Sequence, residues 1–182
     1  MKRLIFSVIA CVIGLAFHAD ENENPFNPLG LTDCIGAFIA DKTDTNLRAT
    51  PGGKIVGTIP HSDNYVVTVC KPTNGWWQIV YISNIEGKEI EVPEAEGKRW
   101  WIHSSVLALG TRNYGRQWVH LYSSPSDKAK VVFKSRDELT VTPLDLKDNG
   151  DWVKVSVIIK GKKYVGWIEA ENLCDNPVTN CC

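Results

Sequence analysis

The chain has 182 residues, of which 43% are hydrophobic and 23% charged, with 20 Lys and Arg against 21 Asp and Glu. A composition this close to the globular average excludes a disordered tail or a collagen-like rod. The near-neutral charge balance also argues against a nucleic-acid partner, because neutralising phosphates requires a concentrated surface of Lys and Arg.

The N-terminal segment has the pattern of a secretory signal peptide. Lys2 and Arg3 precede an apolar run over residues 4–16, which is shorter than the ~20 residues that a bilayer-spanning helix needs. We expect a signal peptide within residues 1–19, cleaved after Ala16 or Ala19. In an alternative interpretation, residues 8–11 resemble a bacterial lipoprotein box, with Cys11 as the lipid anchor. Both interpretations predict an exported protein of the periplasm or cell surface, without a transmembrane segment in the mature chain.

The chain has six cysteines, and an exported protein meets an oxidising compartment in which thiols can pair. The connectivity cannot be read from the sequence. One possibility is a disulfide between the two ends of the folded region, joining Cys34 to Cys174, Cys181 or Cys182. The adjacent cysteines 181 and 182 lack the spacing of a zinc site, so we expect structural disulfides, no metal and no cofactor.

Composition divides the mature chain into a tether and a folded part. Residues 20–35 are rich in Asn, Pro and acidic residues, and they predict a flexible tether because such a segment buries too little apolar area to offset chain entropy. Beyond it, short runs rich in Val, Ile, Tyr and Trp are broken every eight to twelve residues by Gly, Pro, Asn or Asp, which is typical of all-β domains. No stretch has sustained helical periodicity.

An internal repeat is the strongest signal in the sequence. The landmarks of the first copy are Asn46-Leu47-Arg48, Pro51, Asn74-Gly75-Trp76 and Trp101-Ile102, and those of the second are His120-Leu121-Tyr122, Pro125, Asn149-Gly150-Asp151-Trp152 and Gly166-Trp167-Ile168. The first copy is longer because of an acidic loop over residues 82–98. The repeat predicts two units, over residues 36–109 and 110–175, followed by a Cys-rich tail over residues 176–182.

The ordered set Asn-Leu-Arg, Pro, Asn-Gly-Trp and Gly-Trp-Ile, which occurs in two versions between residues 38 and 174, resembles the bacterial SH3-like (SH3b) domain. This resemblance implies two tandem SH3-like small β-barrels and, as the leading ligand, the stem or bridge peptides of peptidoglycan. The chain departs from the family at Tyr122, where Arg is usual, at Trp100, where Gly is usual, and at the inserted Asp151. A small barrel also follows from the strand pattern, because rolling up buries one face and leaves few edges open.

Strand alternation separates the neighbouring tryptophans into two faces. If Ile79 faces the core, Trp77 does so too and Trp76 points away. The same alternation sets Trp152 opposite Val153. Trp101 and Trp167 are interpreted as packing residues.

Exposed aromatic rings offer a large, rigid contact area at little entropic cost. We therefore expect a ligand groove formed by Trp76, Trp100 and Tyr81, and a second site at Tyr122 and Trp152. Trp118 is either a further binding residue or buried between the two units. The alternative is that Trp76 and Trp100 fill the seam between the two units.

The sequence carries no phosphate-binding loop, no zinc-protease helix and no nucleophile elbow. A cysteine peptidase of the kind that accompanies SH3b units would need Cys34 or Cys70 beside His103 or His120, and no room remains for its catalytic domain. We therefore expect a non-catalytic module that binds peptidoglycan or another wall ligand. The alternative is a module that binds one envelope protein, as an inhibitor, immunity protein or scaffold.

Overall fold

The computed structural model describes residues 33–61, 64–92 and 98–178, and in these ranges the all-β prediction is confirmed. The signal peptide, Cys11 and the adjacent cysteines 181 and 182 lie outside the described residues. The only helices in the described ranges are three 3₁₀ turns, Ser104–Val106, Asp148–Gly150 and Ala170–Asn172. The strands are β1 (Cys34–Ile39), β2 (Thr45–Arg48), β3 (Ile55–Ile59), β4 (Tyr65–Thr73), β5 (Trp76–Asn84), β6 (Trp101–His103), β7 (Leu107–Thr111), β8 (Val119–Tyr122), β9 (Val131–Ser135), β10 (Thr140–Lys147), β11 (Trp152–Ile159), β12 (Lys162–Glu169) and β13 (Leu173–Cys174).

The strands join into one antiparallel sheet with the order β3-β2-β6-β5-β4-β1-β7-β10-β11-β12-β8-β9, and β13 pairs with β7. The pairing order of β2 to β6 recurs in β8 to β12. In the first half, β4 has β1 as its neighbour, and β1 pairs with β7. In the second half, β10 has β7 as its neighbour, and β7 pairs with β13. The β7 strand thus occupies the position in the second half that β1 occupies in the first.

Three predicted boundaries fall inside strands. β1 begins at Cys34, within the range assigned to the tether. The prediction missed this start because composition does not show that Cys34 and Ile35 pair with β4. The β5 strand runs to Asn84, so the first residues of the expected acidic loop belong to a buried strand. β7 crosses the predicted boundary between residues 109 and 110.

Short turns with positive φ angles connect the long hairpins. Asn74 and Gly75, at φ angles of 49° and 79°, link β4 to β5, and Lys160 and Gly161, also at 49° and 79°, link β11 to β12. Two successive residues with positive φ favour a two-residue hairpin turn, and glycine adopts this conformation without a steric penalty. These turns fix the register that decides which aromatic side chains face outward.

The core follows the predicted alternation in both halves. In the first half, Trp77, Ile79 and Ile102 are fully buried, as are Val153 and Val155 in the second. They belong to one hydrophobic cluster that extends through the whole sheet. Each fully buried side chain of this size stabilises the fold by roughly 1.5–3 kcal/mol.

Cys34 is bonded to Cys70, so the possible bond from Cys34 to the C-terminal cysteines does not form. Antiparallel pairing of β1 with β4 brings Cys34 and Cys70 directly opposite each other. Cys174 is also disulfide-bonded. Stable disulfides indicate an oxidising compartment, as expected for an exported protein. Over the described ranges, no helix is long and apolar enough to span a bilayer.

Asp175 follows β13 and lies directly against β1. A methyl group at Gly36 would overlap the Asp175 carboxylate, so a larger residue at position 36 would force the Asp175 side chain to move. Burial raises the pKa of Asp175 from 3.8 to about 6, although a backbone hydrogen bond acts in the opposite direction.

Replacing both Cys34 and Cys70 by Ser is expected to lower the free energy of unfolding by about 2–4 kcal/mol, because the bond closes a chain loop of 36 residues in the unfolded state. Urea unfolding of the oxidised protein and the variant measures the difference. Reduction would also break the disulfide of Cys174, so both proteins are compared in oxidised form, and equal stability of the two would contradict the expectation.

Asp175→Asn is expected to change the pH dependence of stability. Between about pH 4 and pH 6 the folded protein holds a proton on Asp175 that the unfolded chain has lost, so wild-type stability falls as the pH rises through this window. Above it, Asn should be more stabilising by up to about 3 kcal/mol. Unfolding midpoints from pH 3 to 8 measure the effect. The exposed Asp127→Asn is the control, and parallel curves for wild type and Asp175→Asn would refute it.

Candidate binding site

The outer face of β2, β5 and β6 carries a first aromatic cluster, defined as Arg48, Trp76, Gln78, Trp101 and His103. Residue pairing sets Trp76 opposite His103 and Gln78 opposite Trp101, while Arg48 pairs with Trp101 from the other side. Paired residues and alternate residues on a strand share a face. These five side chains therefore lie on the face opposite the core residues.

Contacts within the first cluster fix the Trp76 ring. His103 meets it edge-on with the ring centroids 4.9 Å apart, and the guanidinium carbon of Arg48 lies 5.7 Å from its centroid. Arg48 is held in turn because its Nη1 donates to the Gly53 carbonyl at 2.6 Å. The backbone N–H of Ser105 donates to His103 Nδ1 at 3.2 Å. The result is a half-buried indole with a cation beside it.

A second aromatic cluster lies at the equivalent place in the second half and consists of Tyr122, Trp152, Lys154, Trp167 and Glu169. Tyr122 pairs with Trp167 as Arg48 does with Trp101, and Trp152 pairs with Glu169 as Trp76 does with His103. Tyr122 and Trp152 form an edge-to-face pair at 5.8 Å, and Lys154 Nζ lies 5.8 Å from the Trp167 ring. Trp167 is only 8% exposed and Trp101 is half-buried, so the packing interpretation describes Trp167 better than Trp101.

The second cluster continues along β8 into an aromatic row, defined as Trp118, His120, Tyr122 and Trp152. Val119 and Leu121 are buried, so alternation turns Trp118, His120 and Tyr122 to the outer face. The ring centroids of Trp118 and His120 are 6.5 Å apart, and those of His120 and Tyr122 are 6.0 Å apart. His120 was not among the expected site residues, although its position between Val119 and Leu121 signals it.

Two cations lie over the Trp118 ring at the end of the row. Lys134 Nζ is 4.7 Å from the ring centroid and Arg136 Cζ is 4.6 Å from it. Lys134 pairs with His120 across the β8–β9 ladder. No sequence pattern predicts the position of these two side chains, because their approach to Trp118 depends on the pairing of β8 with β9.

The structure does not bring Trp76 and Trp100 together on one face. The Ile79 backbone N–H donates to the Trp100 carbonyl at 2.8 Å, so Trp100 is in phase with Ile79 and packs against the core. The expected groove with Trp76, Trp100 and Tyr81 is therefore divided. Tyr81 is half-buried, and its hydroxyl donates to Glu89 Oε1 at 3.0 Å. Glu89 belongs to the acidic loop over residues 82–98.

The described residues assemble neither a pair of Cys34 or Cys70 thiolate with His103 or His120 nor a metal site. Cys34 and Cys70 are bonded to each other, so neither offers a thiolate to His103 or His120. No group of three or more His, Cys, Asp or Glu that could hold a metal ion occurs in the described part of the chain. The arrangement can stack flat groups on its rings and can attract charge through the adjacent side chains.

No protein-family model matches the chain, and no curated protein is significantly similar to it. Among solved structures, the chain is similar to NlpC2 and NlpC1 from Trichomonas vaginalis, each with a TM-score of 0.29, 15% sequence identity and 78% of this chain covered. The matched region spans 47% of NlpC2 and 45% of NlpC1, less than half of either protein.

The two neighbouring tryptophans of β5 should respond differently to truncation. Trp77 is fully buried, and its Nε1 donates to Ser104 Oγ at 2.8 Å, so Trp77→Ala should cost about 3–5 kcal/mol. Trp76→Ala removes an outer-face ring and should cost about 1 kcal/mol. Urea unfolding measures both variants. A loss for Trp76→Ala as large as that for Trp77→Ala would contradict the assignment of faces.

Proposed function

We propose that this protein is a non-catalytic binding module of the cell envelope, built from two tandem SH3b-like units, and that its outer aromatic clusters contact an extended wall ligand. The repeated order of strand pairing supports the two units. The repeated landmarks of the sequence support the same division. The units share β7, which belongs to the end of the first and the beginning of the second.

The observation that carries the proposal is the equivalent position of the two aromatic clusters. Trp76 and Trp152 both begin the fifth strand of their half, and both are half-buried on the outer face. The ring centroid of Trp76 lies 4.9 Å from that of His103, and the ring centroid of Trp152 lies 5.8 Å from that of Tyr122. Half-buried rings at equivalent outer-face positions suit a binding role, since rigid rings offer a large contact area at little entropic cost.

The ligand class comes from the resemblance to SH3b domains, which implies peptidoglycan peptides. The Cys34–Cys70 disulfide supports an exported location, and periplasm or cell surface is the location that we propose. The mode of contact follows from the clusters themselves. Flat peptide groups can stack on Tyr122 and Trp152, while Lys154 supplies a cation beside Trp167.

A module that binds one envelope protein is the second candidate function. The observation that favours it is the pair of outermost strands, β3 and β9, each of which has a single strand neighbour among the described residues. Ile55 and Val56 on β3, and Val131 and Val132 on β9, are exposed. An extended segment of a partner chain could add to such an edge through backbone hydrogen bonds.

Cosedimentation with purified, insoluble cell wall tests the first proposal. The oxidised protein should be retained, and the double variant Tyr122→Ala with Trp152→Ala should bind about tenfold more weakly, because the central rings of an interface carry most of its energy. Trp76→Ala should also weaken binding in the same assay if the first cluster contacts the wall ligand. Absence of binding to wall, together with capture of a single protein from envelope extract, would favour the second candidate.

The matched control is Ile158→Ala. Ile158 is 69% exposed and lies on β11 in phase with Trp152, roughly 20 Å farther along the strand. Its truncation removes exposed apolar area without touching either cluster, so binding to wall should be unchanged. Equal loss of binding in the control and the double variant would refute the assignment of the clusters as the binding surface.

A further inference from the structure

We propose that the aromatic row binds an extended peptide segment whose carboxylate groups lie at the Trp118 end. The inference rests on the proposed function and names the chemistry of its ligand. Three features of the row carry it: the spacing of its rings, the cations at one end, and the acidic residue near the other end.

The rings of the row have the spacing of an extended chain. Trp118 directly precedes β8, and His120 and Tyr122 are alternate residues on it, with ring centroids 6.5 Å and 6.0 Å apart along the row. Alternate side chains of an extended peptide repeat at about 6.6 Å. A peptide lying along β8 can therefore set one side chain against each ring. Trp152 meets Tyr122 at 5.8 Å and widens the contact at the far end.

The charge of the row is asymmetric. Lys134 and Arg136 both lie over the Trp118 ring. Among the described residues, no carboxylate oxygen lies within 4 Å of the Lys134 or Arg136 nitrogens. Their positions over the indole hold them in place and leave donors for an anion. A ligand carboxylate at this end gains two charge-assisted partners.

The opposite end of the row carries balanced charge. Glu169 pairs with Trp152, and its Oε2 accepts a hydrogen bond from Asn172 Nδ2 at 3.2 Å, while Lys154 lies beside Trp167. A ligand carboxylate near Trp152 would meet the Glu169 carboxylate as well as the Lys154 cation, so it gains less there than beside Lys134 and Arg136. The arrangement therefore sets the direction of the peptide as well as its charge, with its acidic end towards Lys134 and Arg136.

The shape of the row favours a peptide over a lipid surface. Trp118 is 45% exposed, whereas His120, Tyr122 and Trp152 are half-buried and lie along the sheet. Membrane insertion uses apolar side chains that project from the surface. A flat strip of rings along a strand fits the side of an extended chain.

Fluorescence anisotropy with two labelled hexapeptides tests the inference on the full-length oxidised protein. The first probe is Gly-Leu-Ala-Leu-Glu-Glu with a free C-terminus, and the second has Gln-Gln and a C-terminal amide. The acidic probe should bind about tenfold more tightly at low salt and lose this advantage at high salt. Lys134→Gln with Arg136→Gln should remove the preference. Equal affinity of the two probes would overturn the proposal.

The control variant is Lys160→Gln with Lys162→Gln, which removes the same charge from the β11–β12 hairpin. Lys162 lies at the other end of β12 from Trp167, roughly 17 Å away along the strand. This variant should keep the preference for the acidic probe. Equal loss in the two double variants would indicate nonspecific attraction and overturn the proposal.

Two further measurements separate the competing explanations. Vesicles of phosphatidylcholine with one quarter phosphatidylglycerol should not bind, and binding to them that requires Lys134 and Arg136, without binding of the acidic peptide, would assign the row to a membrane. Cosedimentation with cell wall distinguishes the two proposals. If the wild-type protein binds wall but does not prefer the acidic peptide, this inference fails while the proposed function stands.

Discussion

The pairing of β7 with strands from both halves is the constraint on which the architecture depends. β7 pairs with β1 and β10, and β13 adds to it as well. Leu107, Ala108 and Leu109 are all buried, so this strand lacks the alternation of a half-exposed strand because it is covered on both faces. Thr111, also buried, extends the seam through its hydroxyl, which donates to Asn113 Oδ1 at 2.7 Å and accepts from the Leu139 N–H at 2.8 Å.

The two halves use the same positions for different chemistry. Arg48 in the first half corresponds to Tyr122 in the second, and His103 corresponds to Glu169, as the shared pairing of their neighbours requires. The indole that begins the fifth strand is therefore common to both halves, while the groups around it differ in charge. Under the proposed function, such a pattern would give one chain two binding surfaces of different selectivity on a single backbone plan.

Alternation in the sequence was sufficient to predict the faces of Trp76, Trp77 and Trp152, because a strand residue between buried neighbours has one possible direction. It does not apply to Trp100, which lies just before β6; the expectation of an exposed Trp100 comes from its lack of a counterpart in the second copy. The Cys34–Cys70 bond and the approach of Lys134 to Trp118 depend on pairing between strands. Register of this kind is a property of the assembled sheet and leaves no local trace in composition.

The shared strand also governs how the protein can open. If either half separates from β7, the other half loses a hydrogen-bonded neighbour and exposes part of the apolar cluster that runs through both. Local opening of one half would therefore destabilise the other, and we expect the halves not to exchange their amide protons by independent subglobal unfolding. We expect the molecule to unfold as one cooperative block, although its sequence contains two repeats.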